Sequence, residues 1–151
     1  SGGAARVSGQ LFVKLPFADV TSGVGTGQVD YGGGLTFAAS GRSVFGFAGV
    51  THWILGDMPD LPLRDLTSAS AGVGRTFGEL GRVSVMGSMS GSSAIIASVD
   101  PALSAGVGVG LALRDRRFLN LGLQLGLTES TPDWSLSLGW RIGGLRGGWE
   151  D

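Results

Sequence analysis

His52 is the only histidine in the chain. A neutral imidazole can take a proton from a hydroxyl held beside it, so it is the first residue to test for catalysis. The groups nearest in sequence that could complete such a site are Thr51, Asp57 and Asp60, and no spaced His-x-Ser signature accompanies them. An isolated histidine at the rim of the fold is the simpler reading. Gly87-Ser-Met-Ser-Gly91 has the frame of a nucleophile elbow, but Met89 stands where the serine is needed. Gly23-Val-Gly-Thr-Gly27 and Gly106-Val-Gly-Val-Gly110 lack both the spacing and the following Lys-Ser/Thr of a phosphate loop. Asp57, Asp60 and Asp65 could hold a calcium ion weakly, but a solvated loop is the better account of them. No catalytic, cofactor-binding or metal-binding residue is assigned, and the chain is not expected to be an enzyme.

The elements around these residues say more. Trp134, Leu136, Leu138, Trp140 and Ile142 alternate with Ser135, Ser137, Gly139 and Arg141. Strand side chains point up, then down, so this stretch is a ribbon with one apolar and one polar face. The stripe recurs in Leu119/Leu121/Leu123/Leu125/Leu127 and in Ala105/Val107/Val109/Leu111/Leu113. Eight segments read as strands: Val7–Leu15, Val29–Ala39, Val44–Leu55, Thr67–Phe77, Val83–Gly91, Ser104–Leu113, Phe118–Thr128 and Trp134–Ile142. They run 9 to 12 residues, near the ~9–11 that a tilted strand needs to cross a bilayer. In Val44–Leu55 both faces are apolar and in Thr67–Phe77 both are small, so pattern alone does not assign their facing.

Composition agrees. Charged residues are 15% of 151, against about 25% in a soluble domain. The 29 glycines do not signal disorder, because 42% of residues are hydrophobic and those are periodic. A net charge of −1 gives no footprint for nucleic acid, and the absence of cysteine removes any disulfide framework. No apolar run reaches the ~18 residues of a membrane-spanning helix. Ser1-Gly-Gly-Ala-Ala5 does not resemble an export signal, so the sequence reads as a mature form.

The connections alternate. Ser40–Ser43, Gly78–Arg82 and Arg114–Arg117 are tight, whereas Pro16–Gln28, Gly56–Leu66 and Ser92–Leu103 are long and Glu129–Asp133 is intermediate. All five prolines fall in these four longer loops, where a missing N–H removes no ladder bond. The short-turn end carries nine arginines against four acids, or +5, and the long-loop end two bases against eight acids, or −6. Arginines at one rim suit anionic phospholipid head groups. Aromatics gather near the rims too. Phe37, Phe45, Phe77, Phe118 and Trp140 lie near the short-turn end, and Phe17, Tyr31, Trp53 and Trp134 near the long-loop end, as two interfacial girdles would require.

The architecture is similar to that of the small eight-stranded bacterial outer-membrane barrels, of the OmpA transmembrane-domain and OmpX type. The resemblance spans Val7 to Ile142 and rests on architecture, with part of a terminal-strand signal at Ser137, Gly139 and Ile142. It implies an all-β, eight-stranded antiparallel up-and-down transmembrane barrel over residues 1–142, with a tail at 143–151 on the periplasmic side. It further implies long acidic loops outside and termini in the periplasm. The implied partners are the outer-membrane bilayer, the barrel-assembly machinery during insertion and a protein partner in an envelope complex. The expected lumen is small-residued, with Gln10, Lys14, Asn120, Gln124 and Arg141 as its long polar groups and Asp30 as a partner for Lys14. A structural, anchoring or binding role leads. The alternatives are a narrow pore for ions or small solutes and, behind it, a lipid-modifying enzyme using His52.

Overall fold

The structure is a computed structural model that describes residues 3–15, 28–56, 63–78, 82–113 and 117–141. Every regular element in it is a strand: β1 (Ala4–Lys14), β2 (Asp30–Ser40), β3 (Val44–Ile54), β4 (Leu66–Phe77), β5 (Val83–Ser92), β6 (Ala102–Ala112), β7 (Phe118–Gly126) and β8 (Trp134–Arg141). They form one antiparallel up-and-down sheet in chain order. The eight segments match the sequence expectation, with ends shifted by up to three residues. β1 starts at Ala4 because the small, uncharged Ala4 and Ala5 extend its ladder against Ser40 and Ala39. The tail at 143–151, Ile142 and Phe17 lie outside the described residues, as do Asp57, Asp60 and the Gly23–Gly27 stretch.

Local chemistry sets the joints. Between β2 and β3 the Gly41 amide donates to the Val44 carbonyl at 2.7 Å, closing the turn. Gly78, just after β4, has φ of +87°, a left-handed conformation open to glycine without steric penalty. The β7–β8 loop is tied down by hydroxyls, with Thr131 Oγ1 donating to the Thr128 carbonyl at 2.7 Å and Ser130 Oγ to the Pro101 carbonyl at 3.1 Å.

The ladders slant across the sheet. A row begun at Ala4, the first residue of β1, passes through Ser40, Phe45, Gly74, Met86, Gly108 and Gly122 and emerges at Ser137, in the middle of β8. Such a stagger accompanies tilted strands in a curling sheet.

The register also assigns the two faces that pattern left open. Phe45, Phe47, Thr51 and Trp53 of β3 share a face with Gly32, Gly34 and the serines of β4 and β5, while Val44, Val50, His52 and Ile54 share the other with Leu35 and Val73. The apolar face is the more exposed one. In β5, Val83, Val85, Gly87 and Met89 are exposed, whereas Ser84, Met86, Ser88 and Ser90 are half-buried. β4 repeats this, with Ala69, Ala71 and Val73 exposed against the half-buried Ser68, Ser70 and Gly72. No hydrophobic side chain among the described residues is buried. A soluble sheet protein has the reverse arrangement, because burial of the apolar face drives its folding.

The sheet is concave on its small-residue side, where six consecutive strands, β3 to β8, line a hollow of about 990 Å³. β1 and β8 are its two edges. Among the described residues no ladder joins them, and no Cα of β1 comes within 8 Å of a Cα of β8. Their outward leucines are accordingly bare: Leu11 is 91% exposed and Leu138 70%.

Candidate functional site: the concave face

The concave face divides into three zones along the strands. At the long-loop end, Lys14 Nζ lies 2.6 Å from Asp30 Oδ2, and the Gly56 amide donates to Asp30 Oδ1 at 3.0 Å. Asp30 is the only buried charged residue described, and these two donors are what make burial of a carboxylate tolerable. Beside the pair, Phe12 stacks on Trp53 with ring centroids 5.2 Å apart and planes 20° from parallel. The two rings sit on β1 and β3, and Gly32 of β2 lies between them in the ladder row. A Cβ on Gly32 would stand 2.6 Å from the indole, so only glycine lets Trp53 lie across it.

The middle zone is a belt of hydroxyls. Thr36, Thr51, Ser68, Ser70, Ser90 and Ser104 line a hollow of about 330 Å³. Gln124 Nε2 reaches into this belt, donating to Ser90 Oγ at 3.4 Å.

Toward the short-turn end the hollow widens and its chemistry becomes mixed. Phe45, Phe47, Met86 and Phe118 supply apolar surface; Asn120 and Arg141 supply polar groups. The rings again fold onto glycines: a Cβ on Gly72 would lie 2.6 Å from Phe47, and side chains at Gly74 and Gly110 would overlap Phe45 and Phe118. Among the described residues, the ion pairs are Lys14–Asp30 and His52–Asp65, so Arg6 and Arg141 on the strands of this face, and Arg117, which also lines the hollow, have no acidic partner.

All five residues expected to face a lumen, Gln10, Lys14, Asn120, Gln124 and Arg141, lie on this concave side. The girdle set separates. Tyr31, Phe37, Phe77, Trp134 and Trp140 are on the apolar face and exposed. Trp53 and Phe118 belong to the concave face instead, because the ladder puts them level with Gly32 and with Ala112 and Arg141. Phe45 reads from sequence as one more short-turn rim aromatic, and Met86 as a member of the serine stripe of β5; that Phe45, Phe47 and Met86 share one face is shown only by the register. The signal was present as Phe45-Gly-Phe47, where a glycine takes the apolar-face position between two rings, but both faces of that strand read as apolar.

His52 sits on the apolar face. Its Nδ1 is 2.9 Å from Thr67 Oγ1 and its Nε2 3.9 Å from Asp65 Oδ2. These are not the neighbours suggested by sequence proximity; Thr51 points to the opposite face. The contact to Asp65 exceeds hydrogen-bond length, and histidine and aspartate are each about half exposed, at 51% and 49%. The Gly87–Gly91 segment runs straight through β5, with none of the strand-to-helix bend a nucleophile elbow needs. Among the described residues no group of three or more His, Asp or Glu could hold a metal ion.

No protein-family model matches this sequence, and no curated protein matches it. What the fold defines is a class: an all-β protein of eight antiparallel strands in a single up-and-down sheet, compatible with a small β-barrel.

Proposed function

We propose that this chain is an integral β-barrel protein of a bacterial outer membrane, with an anchoring or binding role and no covalent chemistry of its own. One observation carries the reading: apolar side chains fill the exposed convex face while glycine and serine fill the concave one. Water on the convex face would leave that apolar area unburied, whereas hydrocarbon accommodates it at no such cost. In a bilayer every backbone N–H and C=O needs a partner, so β8 pairs with β1 to complete the cylinder. Arg75, on the apolar face over the Phe77 ring at 5.6 Å, suits the head-group level of the short-turn rim. The long acidic loops then face outward and both termini the periplasm. The chain's contacts are the bilayer itself, the assembly machinery during insertion and an envelope protein reached through its loops.

The direct test is transfer of the refolded chain into phosphatidylcholine vesicles, read by circular dichroism and by quenching of tryptophan with brominated lipid. Trp134 and Trp140, both on the apolar face, are expected to be quenched. A monomer folded in plain buffer without amphiphile would end the proposal.

A narrow pore is the second reading, favoured by the two open hollows along the concave face. Single-channel conductance in a planar bilayer separates it from a closed anchor.

A further inference from the structure

We infer that the short-turn half of the concave face is a binding site for a small organic anion with an apolar body, an aryl- or alkyl-carboxylate. The inference rests on the membrane-barrel reading, because it needs the concave face to be the interior of the protein. Three observations lead to it.

The short-turn half belongs to a hollow of about 990 Å³ that runs on into the hydroxyl belt through Ser70 and Ser90, so it is part of a space as large as the ~300–1,000 Å³ of small-molecule sites. Its lining sets an apolar cluster among serines, Asn120 and arginines. Phe45, Phe47, Met86 and Phe118 come from three strands and converge on it. The ring tips of Phe47, Phe45 and Phe118 lie over Gly72, Gly74 and Gly110. Methionine beside aromatic rings gives a soft, adaptable surface for an apolar ligand body.

The charge is one-sided. Arg141 stands directly across the ladder from Phe118, and Asn120 is two residues along the same strand from that ring. Neither Arg141 nor Arg117, the two arginines that line the hollow, has an ion-pair partner among the described residues, while the one carboxylate on this face, Asp30, is taken up by Lys14 at the far end. A guanidinium presents a planar fork of donors that matches a carboxylate in bidentate fashion. A phosphate ester is commonly held by clustered backbone amides as well, and β7, which carries Phe118 and Asn120, is paired in ladders on both sides. The hydroxyl belt above offers hydrogen bonds without charge, a polar approach leading to the apolar section.

The experiment uses the full chain refolded in lipid nanodiscs, so that no detergent competes, and 4-phenylbutyrate as the probe. Calorimetric titration against empty discs removes simple partitioning into lipid. Two analogues dissect the recognition: 4-phenylbutanol lacks the charge and butyrate lacks the ring. The expected result is saturable binding of phenylbutyrate, about tenfold or more tighter than either analogue, as a charge-assisted hydrogen bond and a buried ring each imply. Arg141→Gln should erase the preference for acid over alcohol while leaving the alcohol unchanged, and Phe47→Ser should weaken acid and alcohol alike. Arg75→Gln, an arginine on the opposite face, should leave all three affinities as they were. Equal affinities for acid and alcohol in the unaltered protein, or an acid preference that survives Arg141→Gln, would overturn the inference. Loss of insertion into the discs, read separately by tryptophan quenching, would instead bring down the membrane reading and this site with it.

Discussion

Lys14 and Asp30 face each other as register partners across the first ladder, their charged atoms 2.6 Å apart, with the carboxylate 3% exposed and the ammonium 48%. The pair fixes the end of β1 against the start of β2 and receives a third element through the Gly56 amide. Removing the cation leaves a buried carboxylate with one backbone donor. Lys14→Ala should therefore cost about 1–3 kcal/mol, below the full cost of breaking a buried pair because lysine is half in solvent. The urea midpoint in vesicles measures this. Lys14→Ala with Asp30→Asn should recover most of the loss, and a single variant as stable as the parent would mean that the pair contributes nothing.

Gly32 is the platform on which Trp53 lies. Gly32→Ala should push the indole off the wall and separate it from Phe12, costing about 1–3 kcal/mol as overpacking does. Near-UV circular dichroism should lose the signal of the stacked pair. Adding Trp53→Ala should restore stability; if it does not, the strain lies in the backbone of β2 and the socket explanation is wrong.

In the closed cylinder proposed above, a seam between β8 and β1 has an expected register. Both strands keep apolar residues on the convex face, so leucine must meet leucine. The row from Ala4 reaches Ser137; placing Phe12 beside Ser137 closes an eight-stranded cylinder with a shear of eight, which tilts strands by about 36°. Leu11 then sits opposite Leu138. In this cysteine-free chain, Leu11→Cys with Leu138→Cys should form an internal disulfide on mild oxidation in vesicles. Disulfide dimers in its place would show that the edges are completed by a second copy.

His52 contacts Thr67 on the exposed face, an arrangement capable of proton transfer in principle. The proposed role predicts that His52→Ala leaves lipid composition untouched and shifts stability by no more than about 0.5 kcal/mol, as for other exposed positions. Mass spectrometry of vesicle lipids after incubation checks it. Turnover in the parent that vanishes in His52→Ala would overturn the non-catalytic assignment.

Strand number and order were legible because the alternation in β1, β5, β6, β7 and β8 is clean, and a period of two has one structural meaning. The facing of β3 was hidden for a physical reason. Phe45 and Phe47 lie on the serine side yet are large and apolar, and they are accommodated there by Gly72 and Gly74 on the next strand. A single-strand pattern cannot reveal a socket that a neighbouring strand supplies. Trp53 and Phe118 were grouped with the rim aromatics by position along the strand, which gives height but not side. The pairing of Lys14 with Asp30 was readable because both mark the ends of consecutive strands that must meet.

The bare margins of the sheet bear on how such a chain travels. Until β1 and β8 find each other, each offers a row of free amides and carbonyls flanked by exposed leucine, valine and tryptophan. Two chains meeting in water at that stage would zip margin to margin into insoluble fibrils. For the membrane role proposed above, a factor that masks those margins would raise the yield of insertion, and yield on refolding without one should fall steeply with protein concentration.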